Sequence, residues 1–309
     1  MYPSMNQDEP WYKKFIPGRS VRKAAHPYLL LAPAVLTMLL IIVLPMFRTI
    51  QYSFYNYKIW KPDEVDFIGL GNFIDLFNDA GFVLSFINTL KWLIIILFFQ
   101  FSIGLLVALS LRRSIKLKGL IRGVLMVPWV TPSILSALMW KWMYHGDFGL
   151  INYLLKTLNI IPRNILFLTN PQTALYSCMV TSIWAGMPYF ALMLTAGLAS
   201  IPQEYYEAAA VDGSSKLQSF WHITLPGLKN VILITTLLRS ISISNDIDIV
   251  YLMTGGGPAG KSMTLSVNAF ITVQKGFDYG RASAMSTCLI VLLAIVSVLY
   301  IQFMSMGER

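Results

Sequence analysis

One stretch of this chain has the spacing of a phosphate-binding loop: a glycine, four further residues and then Gly-Lys-Ser, at residues 255–262. Such a loop binds ATP only when it follows a strand and opens a helix, because its backbone amides must converge on the phosphates. Here an apolar stretch long enough for a membrane helix precedes it. We therefore predict a tight turn at 255–262, and we expect no catalytic residue and no bound ATP on this chain.

The cysteines and histidines do not form a metal-binding pattern either. Cys178 and Cys288 lie within apolar stretches, and His26, His145 and His222 are far apart in the sequence. Structural zinc sites draw four nitrogen or sulfur ligands from closely spaced pairs. We expect no metal site and no disulfide framework, and both cysteines are predicted to be small core residues.

Polar and charged residues instead gather in an otherwise apolar stretch, residues 228–253. Arg239, Ser242 and Asp246 are spaced by three and four residues, which places them on one face of a helix, and Asn245 and Asp248 lie on an adjacent strip. Ionisable groups inside a membrane are costly and usually face a cavity or a partner. This polar strip is therefore a candidate solute path, and the alternative is a contact that joins helices or subunits.

Two aromatic residues extend the candidate path. Trp184 and Tyr189 flank Gly186 and Pro188, and this Gly/Pro pair predicts a break in the surrounding helix. Broken membrane helices tend to line cavities, because their freed backbone groups must be satisfied there. Both rings are therefore candidates for stacking on a ring-shaped solute.

The elements that position these residues are predicted to be membrane helices. Of the 309 residues, 56% are hydrophobic and 13% are charged, whereas soluble proteins have about 25% charged residues. A bilayer core of about 30 Å requires about 20 apolar residues in a helix. Six stretches qualify, near 28–50, 85–111, 120–143, 172–199, 228–253 and 282–305. We predict an all-α polytopic membrane protein, with residues 28–306 as its transmembrane domain and 28–50 as a retained first span.

The basic residues give an orientation for these spans. The net charge is +9, and five of the 24 lysines and arginines precede Pro27 while five more lie between residues 112 and 122. By the positive-inside rule, residues 1–27, the loop 200–227 and the C-terminus face the cytoplasm. This placement favours topology signals over a nucleic-acid surface, so no nucleic-acid partner is expected. Six spans without an internal repeat are few for a self-sufficient transporter, which predicts partner subunits.

The cytoplasmic loop has clear helix signals. Residues 201–230 read IPQEYYEAAAVDGSSKLQSFWHITLPGLKN. Ser200 is a candidate N-cap for a first short helix, Gly213 suits a left-handed stop after it, and Ser215 with Gln218 forms a capping box for a second. We therefore predict two short helices joined at the glycine.

The first of these short helices presents little bulk on one side. Tyr205, Ala208 and Ala209 lie together at helical spacing, with Glu204 and Glu207 nearby. Such a compact face suits a groove on another protein.

The same residues carry a specific resemblance. Without gap or substitution, the loop contains the pattern EAA, three residues, Gly, nine residues and I-x-L-P, at Glu207, Ala208, Ala209, Gly213, Ile223, Leu225 and Pro226. This pattern resembles the EAA loop of binding-protein-dependent ABC-importer permeases of type I. Weaker motifs in chain order, among them residues 69–73 and 254–258, are similar to the carbohydrate-uptake branch with its maltose-type and glycerol-phosphate-type permeases.

The resemblance implies a function and partners. The chain would be a multi-pass permease of a bacterial inner membrane that imports a sugar or oligosaccharide delivered by an extracytoplasmic binding protein. The alternative is a sugar phosphate, glycerol phosphate or another polar solute. A second permease, usually a different chain, and two ATPase subunits that carry ATP and magnesium would complete the complex. The loop favours this interpretation over a membrane-embedded enzyme and over a transporter that works alone.

Residue roles follow from the same resemblance. The loop would dock into the ATPase through Glu204, Glu207, Ala208, Ala209 and Gly213, with Glu207 as the charged docking residue and Gly213 as the bend. Gly256, Gly257 and Pro258 would form an outward turn that contacts the binding protein.

Overall fold

The computed structural model describes residues 30–61, 63–112 and 116–305, and the predicted N-terminal segment 1–27 lies outside them. The first helix, α1, runs over Leu30–Tyr52 and includes a π-helical turn at Leu39–Val43. Its apolar side chains are exposed all round, such as Leu31 and Ile41. A helix that is hydrophobic on every side is typical of a membrane span.

Thirteen further helices and one short hairpin follow in the described part of the chain. The hairpin pairs β1, Tyr55–Asn56, with β2, Asp66–Phe67, in antiparallel register. The helices are α2 Gly71–Asn78, α3 Ala80–Arg112, α4 Lys118–Val130, α5 Ser133–Met143, α6 Leu150–Thr157, α7 Ala174–Ala199, α8 Gln203–Val211, α9 Lys216–Ser219, α10 Leu225–Gly227, α11 Lys229–Ser244, α12 Asp248–Thr254, α13 Leu265–Gly276 and α14 Tyr279–Ser305. A π-helical turn at Phe220–Thr224 joins α9 to α10.

Within the described residues, four helices are long and apolar enough to cross a membrane: α1, α3, α7 and α14. The predicted third span is not one straight helix, because α4 and α5 meet at an angle of 94° and qualify only as a pair. The break lies at Thr131 and Pro132, where the backbone becomes extended. Proline has no amide to donate and disfavours helical geometry at the residue before it, which accounts for the bend.

The predicted fifth span is also divided. Helix α11 ends at Ser244 and α12 begins at Asp248, so residues 245–247 separate two helices that are each too short to cross a bilayer. Both breaks fall where the sequence is polar or contains proline. The broken helices lie next to each other, since α12 packs against α5.

The longest helix–helix interface runs between α3 and α7. Gly104 permits it, because a Cβ at this position would lie 2.5 Å from the Cβ of Phe190. Small residues at such contacts let membrane helices approach closely. The core that includes Trp92, Cys178 and Ile243 joins α3 and α7 to α11, and the Trp92 indole donates to the Ile243 carbonyl at 3.1 Å. This interface positions one wall of the site described below.

The loop after α7 contains the two predicted helices, α8 and α9, but one predicted cap is wrong. Gly213 has φ of +76° and the Ser215–Gln218 capping box is formed, as predicted. Ser200 does not cap α8, which begins after Pro202. Its hydroxyl donates to the Gly197 carbonyl at 2.8 Å, because the last carbonyls of α7 also need donors.

Candidate functional site

A cavity of about 320 Å³ lies where the helices break, and we call it the central cavity. Its lining residues are Pro128, Trp129, Thr131, Ser133, Ser182, Ala185, Arg239, Ser242, Ile243, Asp246 and Ile249. Arg239, Ser242 and Asp246 of the predicted polar strip thus face one shared space. One continuous helical face would not bring these residues together with a wall of α7 and the ends of α4 and α5. The breaks between α4 and α5 and between α11 and α12 therefore create the site.

The Arg239 side chain is held by a buried amide. Its Nε donates to Gln100 Oε1 at 2.9 Å, and Gln100 Nε2 donates to the Ser182 carbonyl at 2.7 Å. Gln100 is fully buried. In the described part of the chain Arg239 forms no salt bridge, and its only other hydrogen bond is a long one of 3.4 Å to Ser242 Oγ. The guanidinium therefore keeps donors available to the cavity.

Gly186 explains how the guanidinium reaches α7. A Cβ at this position would lie 2.1 Å from Arg239 Nη2 and 2.1 Å from Gln100 Nε2. The predicted break at Gly186 and Pro188 is wrong, because α7 continues through both residues from Ala174 to Ala199. The glycine serves close approach by another side chain, which a sequence pattern for a helix break does not distinguish.

Replacement of Gly186 by Ala is expected to displace Arg239 and Gln100. Forcing a methyl group into a filled site costs about 1–3 kcal/mol, so the purified permease should melt at a lower temperature and uptake should fall several-fold. Gly123→Ala is the matched control, since a Cβ there meets nothing within 4 Å. Equal thermal melting and uptake for the two variants would contradict this account of Gly186.

The other members of the polar strip make contacts between or within helices. Asp248 accepts a hydrogen bond from the Ser133 hydroxyl, which ties α12 to α5. Asn245 is exposed and donates to the Ile241 carbonyl at 3.0 Å within its own helix. Each interpretation of the polar strip thus fits part of it. Arg239, Ser242 and Asp246 face the cavity, as a solute path requires, whereas Asn245 and Asp248 bond to the backbone or to another helix.

The aromatic candidates Trp184 and Tyr189 each pack against another ring. Trp184 packs edge-on against Trp140, with ring centroids 5.7 Å apart, and Tyr189 packs against Phe190. Neither is among the described residues that line the central cavity, whereas Trp129 lines it and is 47% exposed. Trp129 lies three residues before Pro132, where the predicted third span breaks.

An orphaned hydroxyl also lines the central cavity. Ser182 is 1% exposed, and its Oγ has no hydrogen-bond partner among the described residues. A buried polar atom without a partner is costly unless water or a ligand satisfies it. The cavity therefore offers hydroxyl, guanidinium, carboxylate and indole groups to one bound molecule.

The turn at 255–262 does not have the geometry of a phosphate-binding loop. It follows helix α12 rather than a strand, and its amides are used within the turn. Gly256 N donates to Thr254 Oγ1, Gly257 N to the Thr254 carbonyl, and Ser262 N to the Gly256 carbonyl. These amides are therefore not directed at a phosphate group.

The side chain of Asn88 on α3 anchors this turn. The Asn88 amide donates to the carbonyls of Lys261 and Met263, both at 3.0 Å. Gly257 and Pro258 line a cavity of about 480 Å³ with residues that include His145 and Asp147. Gly256 has φ of +82° and packs on Met263 instead. Of the three predicted contact residues, Gly257 and Pro258 thus line this cavity and Gly256 does not.

One side of helix α8 is exposed, and its other side is anchored to the rest of the chain. Glu204, Tyr205, Glu207 and Ala208 are exposed, while Ala209 is half-buried. Tyr206 holds the inner side, since its hydroxyl lies 3.0 Å from Thr224 Oγ1.

The ring of Tyr206 makes a second anchoring contact. The Arg112 guanidinium carbon lies 3.9 Å from the ring centroid, which is a cation–π geometry. Arg112 is the last residue of α3, so this contact connects α8 to the membrane bundle. Sequence reasoning did not select either residue, because they are 94 positions apart.

Comparison with known proteins places the chain among transport proteins. Residues 100–306 match the family model described as binding-protein-dependent transport system inner membrane component. The trehalose/maltose transport system permease protein MalF of Thermococcus litoralis is 34% identical over 91% of this chain and 94% of its own length. The sulfoquinovosyl glycerol transport system permease protein SmoG of Agrobacterium fabrum is 33% identical over 89% of this chain and 88% of its own.

A solved structure shows the same fold. A chain of a bacterial alginate ABC transporter, in complex with an alginate pentasaccharide-bound periplasmic protein, superposes with a TM-score of 0.78 at 21% identity. The likeness covers 91% of this chain and 94% of that one.

Proposed function

The chain belongs to the family of binding-protein-dependent transport system inner membrane components, and from this membership we propose that it imports a sugar or oligosaccharide through the central cavity. It is a multi-pass membrane permease component of an ABC importer and is not itself catalytic, since ATP hydrolysis in this family takes place on a separate subunit. The observation that carries the proposal is the central cavity, where Arg239, Asp246 and Ser182 surround about 320 Å³ next to Trp129.

The chemistry of this cavity suits a polyhydroxylated solute. Sugars both donate and accept hydrogen bonds, and the cavity offers the donors of Arg239 together with the acceptor oxygens of Asp246. Its volume is at the lower end of the range of small-molecule sites. The relatives named for trehalose, maltose and sulfoquinovosyl glycerol support a carbohydrate.

A solute with a phosphate or acid group is the second candidate. Arg239 favours it, because a guanidinium without a salt bridge in the described residues is a good partner for an anion. Asp246 in the same cavity opposes it by like-charge repulsion. Contact of the solute with Asn245, Asp248, Trp184 and Tyr189 stays a prediction, since these residues lie outside the cavity lining.

The proposed membrane arrangement has six spans with both termini in the cytoplasm. It counts α1, α3, the bent pair α4–α5, α7, the divided pair α11–α12 and α14 as one span each. Broken helices are tolerated at membrane depth where they line a cavity. The orientation rests on the basic residues near the N-terminus and at 112–122.

Single cysteines test this arrangement in intact cells. In a variant lacking Cys178 and Cys288, an impermeant thiol reagent should label Asp63→Cys and Lys261→Cys but not Lys216→Cys. All three positions are exposed, whereas Ser262 beside Lys261 is buried and would be a misleading site. Labelling of Lys216→Cys alone would invert the orientation.

The proposed partners are a second permease, two ATPase subunits and an extracytoplasmic binding protein. Support comes from the exposed side of α8 as a docking surface and from the outward turn at Gly256, Gly257 and Pro258. The solved relative was crystallised with a substrate-bound periplasmic protein, which agrees with a binding-protein contact on the outward face.

The experiment that tests the function is ATPase stimulation in the reconstituted complex. A panel of neutral and anionic sugars, each with the cognate binding protein, should include one class that stimulates hydrolysis several-fold. Stimulation by an amino acid or a polyamine, with no response to any sugar, would overturn the assignment.

A further inference from the structure

A third cavity, also of about 480 Å³ but separate from the one beside Gly257 and Pro258, lies at the C-terminal end of α3, and we call it the basic cavity. Three cationic side chains line it: Arg112 at the end of α3, and Lys118 and Arg122 in the first two turns of α4. No acidic residue is among its described lining residues. We propose that this cavity binds the phosphate of an anionic phospholipid in the cytoplasmic leaflet.

The charges of the basic cavity are not neutralised within the chain. In the described residues, Lys118 and Arg122 form neither a hydrogen bond nor an ion pair, and Arg112 is engaged only through the face of Tyr206. Lys118 is half-buried, whereas Arg112 and Arg122 are exposed. Like charges gathered around one space repel each other, and an anion placed between them relieves that repulsion.

The start of α4 adds donors to the same place. Helix α4 has 13 residues, and its N-cap residue Leu117 supplies no side-chain cap. The first amides of a helix have no partner in the helix itself, and the positive end of the helix dipole favours an anion there. Lys118 is the first residue of α4 and lines the basic cavity, so the uncapped helix start lies next to the cationic side chains.

The surroundings favour a lipid over a free ion. The inner wall is apolar, with Ala108, Leu111 and Leu198 buried there. Basic pockets between membrane helices on the cytoplasmic side are known to take such headgroups.

The position gives the site a consequence for coupling. Arg112 lines the basic cavity and also stacks on the ring of Tyr206, the residue of α8 that anchors this helix. A bound headgroup would therefore contact the side chain that links the bundle to α8. The cytoplasmic placing of the cavity rests on the proposed function, in particular on the six-span orientation.

Retention of phosphatidylglycerol by the complete purified complex tests the proposal. The complex is reconstituted in nanodiscs of phosphatidylcholine with a minority of phosphatidylglycerol, and the retained lipid is counted by non-denaturing mass spectrometry. The complex with the double variant Lys118→Gln, Arg122→Gln should bind phosphatidylglycerol at least about tenfold more weakly than wild type. The reason is that each cation near the membrane surface raises the affinity for an anionic lipid several-fold. The double variant Lys116→Gln, Lys229→Gln removes two charges outside the cavity and should retain it normally.

Three results would overturn the proposal. One is unchanged retention in the cavity variant, and another is equal loss in both double variants, which would indicate a general surface-charge effect. The third is displacement of phosphatidylglycerol by millimolar inorganic phosphate, which would assign the site to a free anion. If the cavity variant fails to assemble, Lys118→Arg with Arg122→Lys keeps both charges and should retain the lipid.

The test is separable from the transport assignment. Lipid retention requires neither ATP hydrolysis nor uptake, whereas sugar-stimulated ATPase activity of the wild-type complex in phosphatidylcholine alone reports on the proposed function. Loss of the ATPase subunits from the cavity variant, with the lipid still bound, would assign the basic cavity to a protein contact and overturn the lipid site.

Discussion

Replacement of Ala208 by Trp is expected to abolish uptake and to detach the ATPase from a permease that still inserts in the membrane. Ala208 lies on the exposed side of α8, next to Glu204 and Tyr205. Because Ala208 is exposed in the described part of the chain, the fold should accommodate a large side chain there. In a docked complex the same side chain would occupy space that the groove on the ATPase needs.

The expected magnitude follows from packing. Forcing a large side chain into a filled interface costs about 1–3 kcal/mol, and each 1.4 kcal/mol weakens binding about tenfold. Two such interfaces in one complex would each suffer this loss if both permeases carried the change. Co-purification of the ATPase with a tagged permease measures docking, and radiolabelled sugar uptake measures function.

Ala210 provides the matched control. It is also exposed on α8 but lies two residues further on, and therefore on a different side of the helix. Ala210→Trp should leave co-purification closer to wild type than Ala208→Trp does. A full yield of ATPase with Ala208→Trp, together with normal uptake, would remove the assignment of α8 as the coupling helix.

Local chemistry in the sequence was sufficient to predict much of this loop. Gly213 adopts positive φ and Ser215 pairs with Gln218 as predicted, because both features depend only on neighbouring residues. Ser200 failed as a cap because two helix ends compete for it: the end of α7 takes its hydroxyl. Where one side chain can serve two helix ends, sequence spacing does not decide between them.

The prediction of the membrane helices was limited in the same way, because local sequence does not show contacts between distant segments. Apolar length predicted α3, α7 and α14 correctly, and α1 from residue 30 onward, but it joined α4 to α5 across Pro132. It also gave no indication of Gln100, whose amide holds Arg239 from a position 139 residues away. Gly186 was assigned to a break, although it admits that same arginine. Contacts between distant helices, rather than local preference, define the central cavity.

The second large effect is expected at Asp246. Asp246→Asn preserves shape while removing the charge, so the permease should assemble with its ATPase as wild type does. A hydrogen bond to a charged group contributes about 1.5–3 kcal/mol, so its loss should reduce sugar uptake about tenfold or more. Asn245→Ala is the control, because Asn245 is outside the cavity lining and, within the described residues, its side chain bonds only to the Ile241 carbonyl in the last turn of α11.

Arg239 completes the argument, because its two roles are separable by substitution. Arg239→Ala would leave buried Gln100 Oε1 without its partner, so a loss of uptake could come from the fold. Arg239→Lys keeps the charge but lacks the planar fork that reaches both Gln100 and the cavity. If Arg239 binds solute, Arg239→Lys should assemble with the ATPase, transport more slowly and show altered preference between neutral and anionic sugars. Normal uptake and unchanged selectivity in both Arg239→Lys and Asp246→Asn would leave the polar strip with a purely structural role and move the solute path elsewhere.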